Sequence, residues 1–174
     1  MQLVPIARIG KPFGLQGGCQ SIMLGEALQK LSLPSKVYIQ KVNAADRELL
    51  LTALQTRPGK SDAVCFFETI KSIDEAHELT NTALCIEHER LPAIEDDRYY
   101  TVDLVGCSVS IEDRTEKFGT IAGIVNYPSI DVIEIFKTGG QRVQMPFLNE
   151  LIVSIDTAAH TMVLKPAALD HFID

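Results

Sequence analysis

The sequence lacks the closely spaced ligand pairs that metal sites require. Its four cysteines, Cys19, Cys65, Cys85 and Cys107, are separated by 46, 20 and 22 residues, whereas zinc sites usually take two ligands from one tight turn. The histidines are also scattered, and no His-x-x-x-His arrangement occurs. We therefore expect no metal and no cofactor, and we interpret all four cysteines as reduced structural residues.

Long apolar runs are missing as well. No stretch approaches the roughly 20 apolar residues that a membrane-spanning helix needs. Residues 1–20 contain no continuous apolar core of the kind found in export signals. These absences predict a cytoplasmic protein without membrane contact. Because neither a heptad pattern nor a long apolar helix is present, we also expect a monomer.

The chain has no excess of positive charge. Residues 1–92 carry ten Lys/Arg and ten Asp/Glu, whereas residues 93–174 carry six Lys/Arg and thirteen Asp/Glu, a net charge of 6 − 13 = −7. An acidic surface repels phosphates and lacks the counterion release that dominates nucleic-acid affinity. The second half therefore suits a basic protein partner, although solubility alone would also account for its charge.

The residue pattern predicts a mainly β protein with one short helix. The segment at residues 19–24 looks extended, and Pro5 indicates an edge or early strand. Ser72 and Glu75 form the spacing of a capping box, which predicts a helix after residue 72. Apolar or alternating segments predict first-half strands at residues 3–9, 37–42, 48–56, around Phe66 and at 83–87, with a hairpin turn at 57–60.

A charged, proline-containing stretch divides the chain. We expect a first domain at residues 1–90, a linker at 91–98 and a second domain at 99–174. The second domain should contain five or six short strands in a small barrel or sandwich. Its predicted strands are at residues 108–111, 120–125, 131–136, 141–145, 151–155 and 161–164, and Gly139-Gly140 predicts a hairpin.

Features that resemble catalytic or nucleotide sites have simpler explanations. Four glycines lie between residues 10 and 18, but they do not lead into a Gly-Lys-Ser/Thr triplet and the next segment looks extended, so a loop between strands is favoured over a phosphate cradle. The acidic pairs at 96–97 and 112–113 are interpreted as solvated charge rather than as acid–base groups. We expect no enzyme. The alternative is an RNA-modifying or nucleotide-dependent enzyme that uses the glycine-rich loop.

Two of the four tyrosines, Tyr99 and Tyr100, are adjacent at the start of the second domain. In an extended segment, adjacent side chains point to opposite faces. Tyrosine is enriched in binding hot spots because it offers a large contact area with few rotors. The pair therefore predicts either a partner-binding site or aromatic filling of the seam between the domains.

An ordered set of motifs along nearly the whole chain resembles the RimM family of ribosome maturation factors. The motifs are Ile9-Gly10-Lys11 and Gly14-Leu15-x-Gly17 in the first half, and Tyr99-Tyr100-x-x-Asp103-Leu104-x-Gly106, Phe118-Gly119-x-Ile121, Asp131-Val132-Ile133 and Met145-Pro146-Phe147 in the second. The family often has His and Arg flanking its glycine loop, where this chain has Phe13 and Gln16. Gly18 stands where an acid is usual.

The resemblance implies two β-barrels, a translation-factor-like barrel followed by a PRC-barrel. It also implies a factor that binds immature small (30S) ribosomal subunits and promotes 16S rRNA processing and maturation of the subunit head. The family's paired aromatics are associated with binding the head protein numbered nineteen, and the resemblance implies that role for Tyr99 and Tyr100. A weaker ribosome contact, with limited 16S rRNA contact, would involve the loop region: Arg8, Lys11, Gly14, Gln16 and Gly17.

A third hypothesis is a PRC-barrel adaptor in another assembly. The first-half match argues against it, because PRC-barrels elsewhere lack that partner domain.

Overall fold

A computed structural model describes residues 1–94 and 98–174. The chain folds into two compact units, Met1–Ala93 and Ile94–Asp174. The predicted linker at 91–98 lies partly outside the described residues, and the acidic pair at 96–97 lies wholly outside them. The mainly β fold class is confirmed in both units.

The first unit is a closed six-stranded barrel with the strand order β1-β2-β5-β4-β3-β6. Strand β6 pairs antiparallel with both β1 and β3, which closes the barrel. In strands such as residues 62–67, alternate residues are buried in the interior, because side chains of a strand alternate between its two faces. The elements are β1 (Leu3–Phe13), β2 (Gly18–Met23), β3 (Ser35–Gln40), β4 (Arg47–Thr56), β5 (Asp62–Phe67), α1 (Ile73–Glu78) and β6 (Ala83–Glu87).

The helix α1 begins as the capping box predicts. The backbone N–H of Glu75 donates to the Ser72 hydroxyl at 3.3 Å, and the backbone N–H of Ser72 donates to the Glu75 carboxylate at 3.0 Å. The predicted hairpin between β4 and β5 is also confirmed. Pro5 lies in β1, which has a neighbour on each side, at the point where the pairing with β6 shifts register. A proline is tolerated there because such irregularities interrupt the hydrogen-bond ladder.

The second unit is a six-stranded sheet with the order β10-β9-β8-β7-β12-β11. Strands β12 and β7 are parallel, and the other neighbouring pairs are antiparallel. Its elements are α2 (Thr101–Leu104), β7 (Ser108–Ile111), β8 (Lys117–Asn126), β9 (Asp131–Lys137), β10 (Arg142–Pro146), β11 (Ile152–Asp156) and β12 (Thr161–Leu164). Short 3-10 segments occupy His88–Arg90 in the first unit and Asn149–Leu151 and Pro166–His171 in the second.

Several predictions of local structure were wrong. The segment after Tyr100 is not extended throughout, because Thr101–Leu104 forms one helical turn. Four residues are too few to show a helical periodicity in the sequence. Strand β3 ends at Gln40 rather than at Val42, which is exposed, and β11 begins at Ile152, after a 3-10 turn that contains Leu151.

Candidate partner-binding site

Tyr99 packs against the hydrophobic core of the second unit, and its side chain is partly buried. The core consists of buried residues from α2 and the sheet, including Leu104, Ile121 and Ile133. Contact with this core fixes the position at which the chain enters the second unit. The ring is therefore at least in part a structural element.

Tyr100 is the residue that immediately precedes α2. Its backbone is extended, with φ −73° and ψ 136°, and its carbonyl oxygen accepts a hydrogen bond from the backbone N–H of Asp103 at 3.0 Å. Its side chain is also partly buried. The two rings follow one another along the chain, one of them on the core and the other at the first turn of the helix.

The single turn of α2 is held to the sheet at its end. Leu104 is fully buried, and the backbone N–H of Gly106 donates to the carbonyl oxygen of Ile121 in β8 at 2.8 Å. Val105, between these two anchors, leaves 42% of its surface exposed. The tyrosine segment is consequently carried on a short, well-anchored element that also presents an apolar side chain to solvent.

The predicted loop residues lie in the first unit, at and beside the turn between β1 and β2. Gly14, Gln16 and Gly17 form that turn, and Gly17 has a φ of +81°. A Cβ at Gly17 would lie 2.3 Å from the carbonyl oxygen of Ile70. Glycine is thus required by both the backbone angle and the close approach of another chain segment.

A strand, not a helix, follows this turn, since β2 begins at Gly18. The turn therefore has no helix N-terminus behind it, which is the feature that makes glycine-rich loops bind phosphate. The prediction that the glycine-rich segment is a loop between strands is confirmed. Arg8 and Lys11 lie further back along β1, both with exposed side chains.

The cysteines are free and buried, as predicted. Cys19 and Cys65 face each other across β2 and β5, and burial raises the pKa of each thiol to about 11. Thiols with such pKa values are almost entirely protonated at neutral pH and react slowly. Within the described residues, no three Asp, Glu, His or Cys side chains form a group that could hold a metal ion, and no helix there is long and apolar enough to cross a membrane.

Family models and known relatives match this chain over most of its length. The model of the RimM N-terminal domain matches residues 4–91, and the model of the RimM PRC barrel domain matches residues 101–168. The ribosome maturation factor RimM of Bradyrhizobium diazoefficiens is 30% identical over 166 residues, which cover 93% of this chain and 90% of that protein. The RimM of Rhodopseudomonas palustris is 29% identical over 169 residues, which cover 97% and 93%.

A solved structure also matches part of this chain. It is the solution structure of the N-terminal domain of RimM from Thermus thermophilus, which is 23% identical, covers 55% of this chain and 100% of that domain, and has a TM-score of 0.43. The two family models account for one unit each. The chain therefore belongs to the RimM family of ribosome maturation factors.

Proposed function

We propose that this protein binds immature small ribosomal subunits through the head protein numbered nineteen and promotes 16S rRNA processing and maturation of the head. It acts in the cytoplasm as a monomer, without catalysing a reaction. The observation that carries the proposal is the tyrosine pair at the entry of an acidic unit. The residues Arg8, Lys11, Gly14, Gln16 and Gly17 make a weaker contact with the ribosome.

The anchoring of the tyrosine segment supports this role. A binding site loses less entropy on association when its side chains are already held in place. Tyr99 is held by the core, and the turn of α2 fixes the backbone on the other side of Tyr100. Val105 adds exposed apolar surface at the end of the same turn. A partner that covers this segment would bury aromatic and aliphatic surface together, as hot spots do.

The charge of the second unit supports a basic partner. Residues 94–174 contain the same six Lys/Arg and thirteen Asp/Glu as residues 93–174, so the unit has a net charge of −7. A field of this sign accelerates encounter with a positively charged protein and disfavours contact with bare RNA phosphates. Ribosomal proteins that bind rRNA need positive charge, so one that is partly exposed on an immature subunit fits this surface.

Sedimentation with purified immature small subunits tests the proposal. Full-length protein should co-sediment with the subunits, and Tyr100→Ala should reduce the bound fraction. Tyr127→Ala is the matched control, because Tyr127 is a tyrosine of the same unit with 51% of its surface exposed, in the turn after β8. Crosslinking should then identify the head protein. Equal binding by both variants, or crosslinks to other ribosomal proteins alone, would contradict the proposal.

A nucleotide-dependent or RNA-modifying enzyme is the rival function. It predicts saturable binding of a nucleotide or methyl donor by the purified protein. Titration calorimetry with ATP, GTP and S-adenosylmethionine separates the two functions, since the proposed factor should bind none of them.

A further inference from the structure

A groove on the outer surface of the first barrel is not part of the site described above. It crosses β2, β5 and the end of β4 and has a volume of about 240 Å³. Typical small-molecule pockets measure roughly 300–1,000 Å³, so this groove is sized for one ring-sized group. It is lined chiefly by Phe13, Gln20, Gln55, Arg57, Asp62 and Val64.

The apolar end of the groove depends on the absence of a side chain at Gly18. A Cβ there would lie 2.6 Å from the carbonyl oxygen of Phe13 and 3.2 Å from Cγ1 of Val64. It would also lie 3.1 Å from Cε1 of Phe66. Gly18 thus leaves room for the backbone of Phe13 beside the side chains of Val64 and Phe66. Phe13 nevertheless keeps 52% of its surface exposed, so part of its ring is available for contact.

The middle and far end of the groove are polar. Gln20 and Gln55 lie on either side of Val64 in the register of the three strands. The Gln55 amide offers both donors and an acceptor, whereas Gln20, which donates one hydrogen bond to Asp62, offers its second N–H and its carbonyl oxygen. Arg57 forms an ion pair with Asp62 at the far end. The hydrogen bond from Arg57 and its positive charge hold the pKa of Asp62 below its ordinary value, with smaller contributions from the backbone N–H of Asp62 and from Gln20. The ion pair offsets the charge of this carboxylate.

Two more cations flank the groove on β1. Arg8 in β1 lies opposite Ile22 in β2, and Ile22 lies opposite Asp62 in β5. The backbones of Arg8 and Asp62 are therefore two strand spacings, or about 10 Å, apart. Lys11 lies in a bulge opposite Gln20, where two residues of β1 face one of β2. Among the residues that the structure describes, neither Arg8 nor Lys11 has a carboxylate at ion-pair distance. The groove therefore has a net positive border in a unit whose net charge is zero.

From this arrangement we infer that the groove binds one unpaired nucleotide of single-stranded RNA, with the base on Phe13, its polar edge on Gln20 and Gln55, and its phosphates near Arg8 and Lys11. The inference rests on the proposed function, since an immature ribosomal subunit supplies such RNA. Exposed aromatic rings and nearby cations are the usual means of binding single strands. A duplex would not fit, because its bases are already paired and stacked.

A peptide is the less suitable occupant. Peptides often bind by adding a strand to a free sheet edge. In residues 1–93, all of which the structure describes, the barrel is closed and offers no free edge. A peptide would have to bind by side chains alone, and one without carboxylates would leave the flanking cations without an anionic partner.

Fluorescence anisotropy with the full-length protein and a labelled single-stranded adenosine hexamer tests the inference. Phe13→Ala should weaken binding by roughly 5- to 100-fold, the range expected for loss of one stacking ring. Phe13→Tyr, which keeps the ring, should bind like the original protein, and Phe13→Leu, which keeps only the apolar bulk, should bind weakly. Leu15→Ala is the matched control, because Leu15 is in the turn that directly follows Phe13, is 78% exposed and does not line the groove.

A second measurement concerns the phosphates. Arg8→Gln should reduce the slope of log affinity against log salt concentration by about 0.7, the value for one lost phosphate contact on a single strand. An unchanged slope would overturn the assignment of Arg8.

Three outcomes would overturn the inference as a whole. The first is that Phe13→Ala and Leu15→Ala bind the RNA hexamer with equal affinity. The second is that the original protein binds the single-stranded hexamer and an RNA duplex with equal affinity. The third is that it binds a leucine-containing hexapeptide in place of the RNA. Sedimentation of the same preparations with immature subunits separates this failure from failure of the proposed function. If the original protein binds subunits while Phe13→Ala binds RNA normally, only the groove inference fails. If the original protein binds no subunits, the proposed function itself fails.

Discussion

Replacing Tyr99 and Tyr100 one at a time should separate stability from binding. Complete truncation of a buried aromatic side chain costs about 3–5 kcal/mol. Tyr99 packs on the core but is only partly buried, so we expect Tyr99→Ala to lower the free energy of unfolding of its unit by about 2–3 kcal/mol. The unit has 81 residues, and for a domain of that size this loss lowers Tm by roughly 10–20 °C.

Tyr100→Ala should weaken binding to the head protein while leaving stability nearly unchanged. We expect a change in unfolding free energy of about 1 kcal/mol or less and an affinity for the head protein lowered by roughly 30-fold, which corresponds to about 2 kcal/mol for a hot-spot ring. The double variant should show both defects, so its lower affinity has to be measured below its reduced Tm.

Differential scanning calorimetry and a binding titration on the same preparations make the test, with Tyr127→Ala as the surface control. If Tyr99→Ala melted like the original protein, Tyr99 would not stabilise the core of the second unit. If Tyr100→Ala kept full affinity while its Tm fell by more than about 10 °C, both rings would be structural and the proposed binding role of Tyr100 would be wrong.

The other predictions concern the turn, the helix, the charge and the domain boundary. Gly17→Ala should destabilise the first unit by about 2–4 kcal/mol through backbone strain and contact with Ile70, whereas Gly14→Ala, which meets no heavy atom within 4 Å, should cost only about 1–2 kcal/mol in chemical denaturation. Ser72→Ala should cost about 1 kcal/mol and Ser72→Gly only a few tenths, and equal losses would argue against the cap. Association with the head protein should slow as ionic strength rises, so a constant rate in stopped-flow would count against steering by charge. Limited proteolysis should cut first within residues 89–98, and a first cut inside residues 108–165 would contradict that boundary.

The local features of the fold could be predicted because each depends on neighbouring residues. The capping box of α1 needs only two side chains three positions apart. Strands β6, β7 and β12 have the predicted bounds, since each alternates or is apolar between clear turns. The helix α2 escaped prediction because a single turn is stabilised by the burial of Leu104 and by contact with β8, neither of which is visible in a short sequence window.

The long-range features could not be predicted from one sequence. Nothing in the residues of β7 indicates that its neighbour is the parallel strand β12, about 50 positions later. The groove was missed for the same reason, because Gln20, Gln55 and Asp62 come together only through the pairing of three strands. Exposed glutamines carry no sequence signal of their own. At Gly17, the close packing against Ile70 is by itself a sufficient reason for glycine, so the residue need not contact the ribosome.

The position of β6 has a consequence for the order in which the first unit is made. This strand is the last of its barrel in the chain, yet it lies between β1 and β3. During synthesis, those two strands must wait with unpaired edges until residue 87 has left the exit tunnel, and such edges are the parts of a nascent sheet most prone to wrong pairing. A chain that stops before residue 83 would keep both edges open. A chain shortened into β6 from its C-terminal side therefore cannot close the barrel, because that one strand covers both edges.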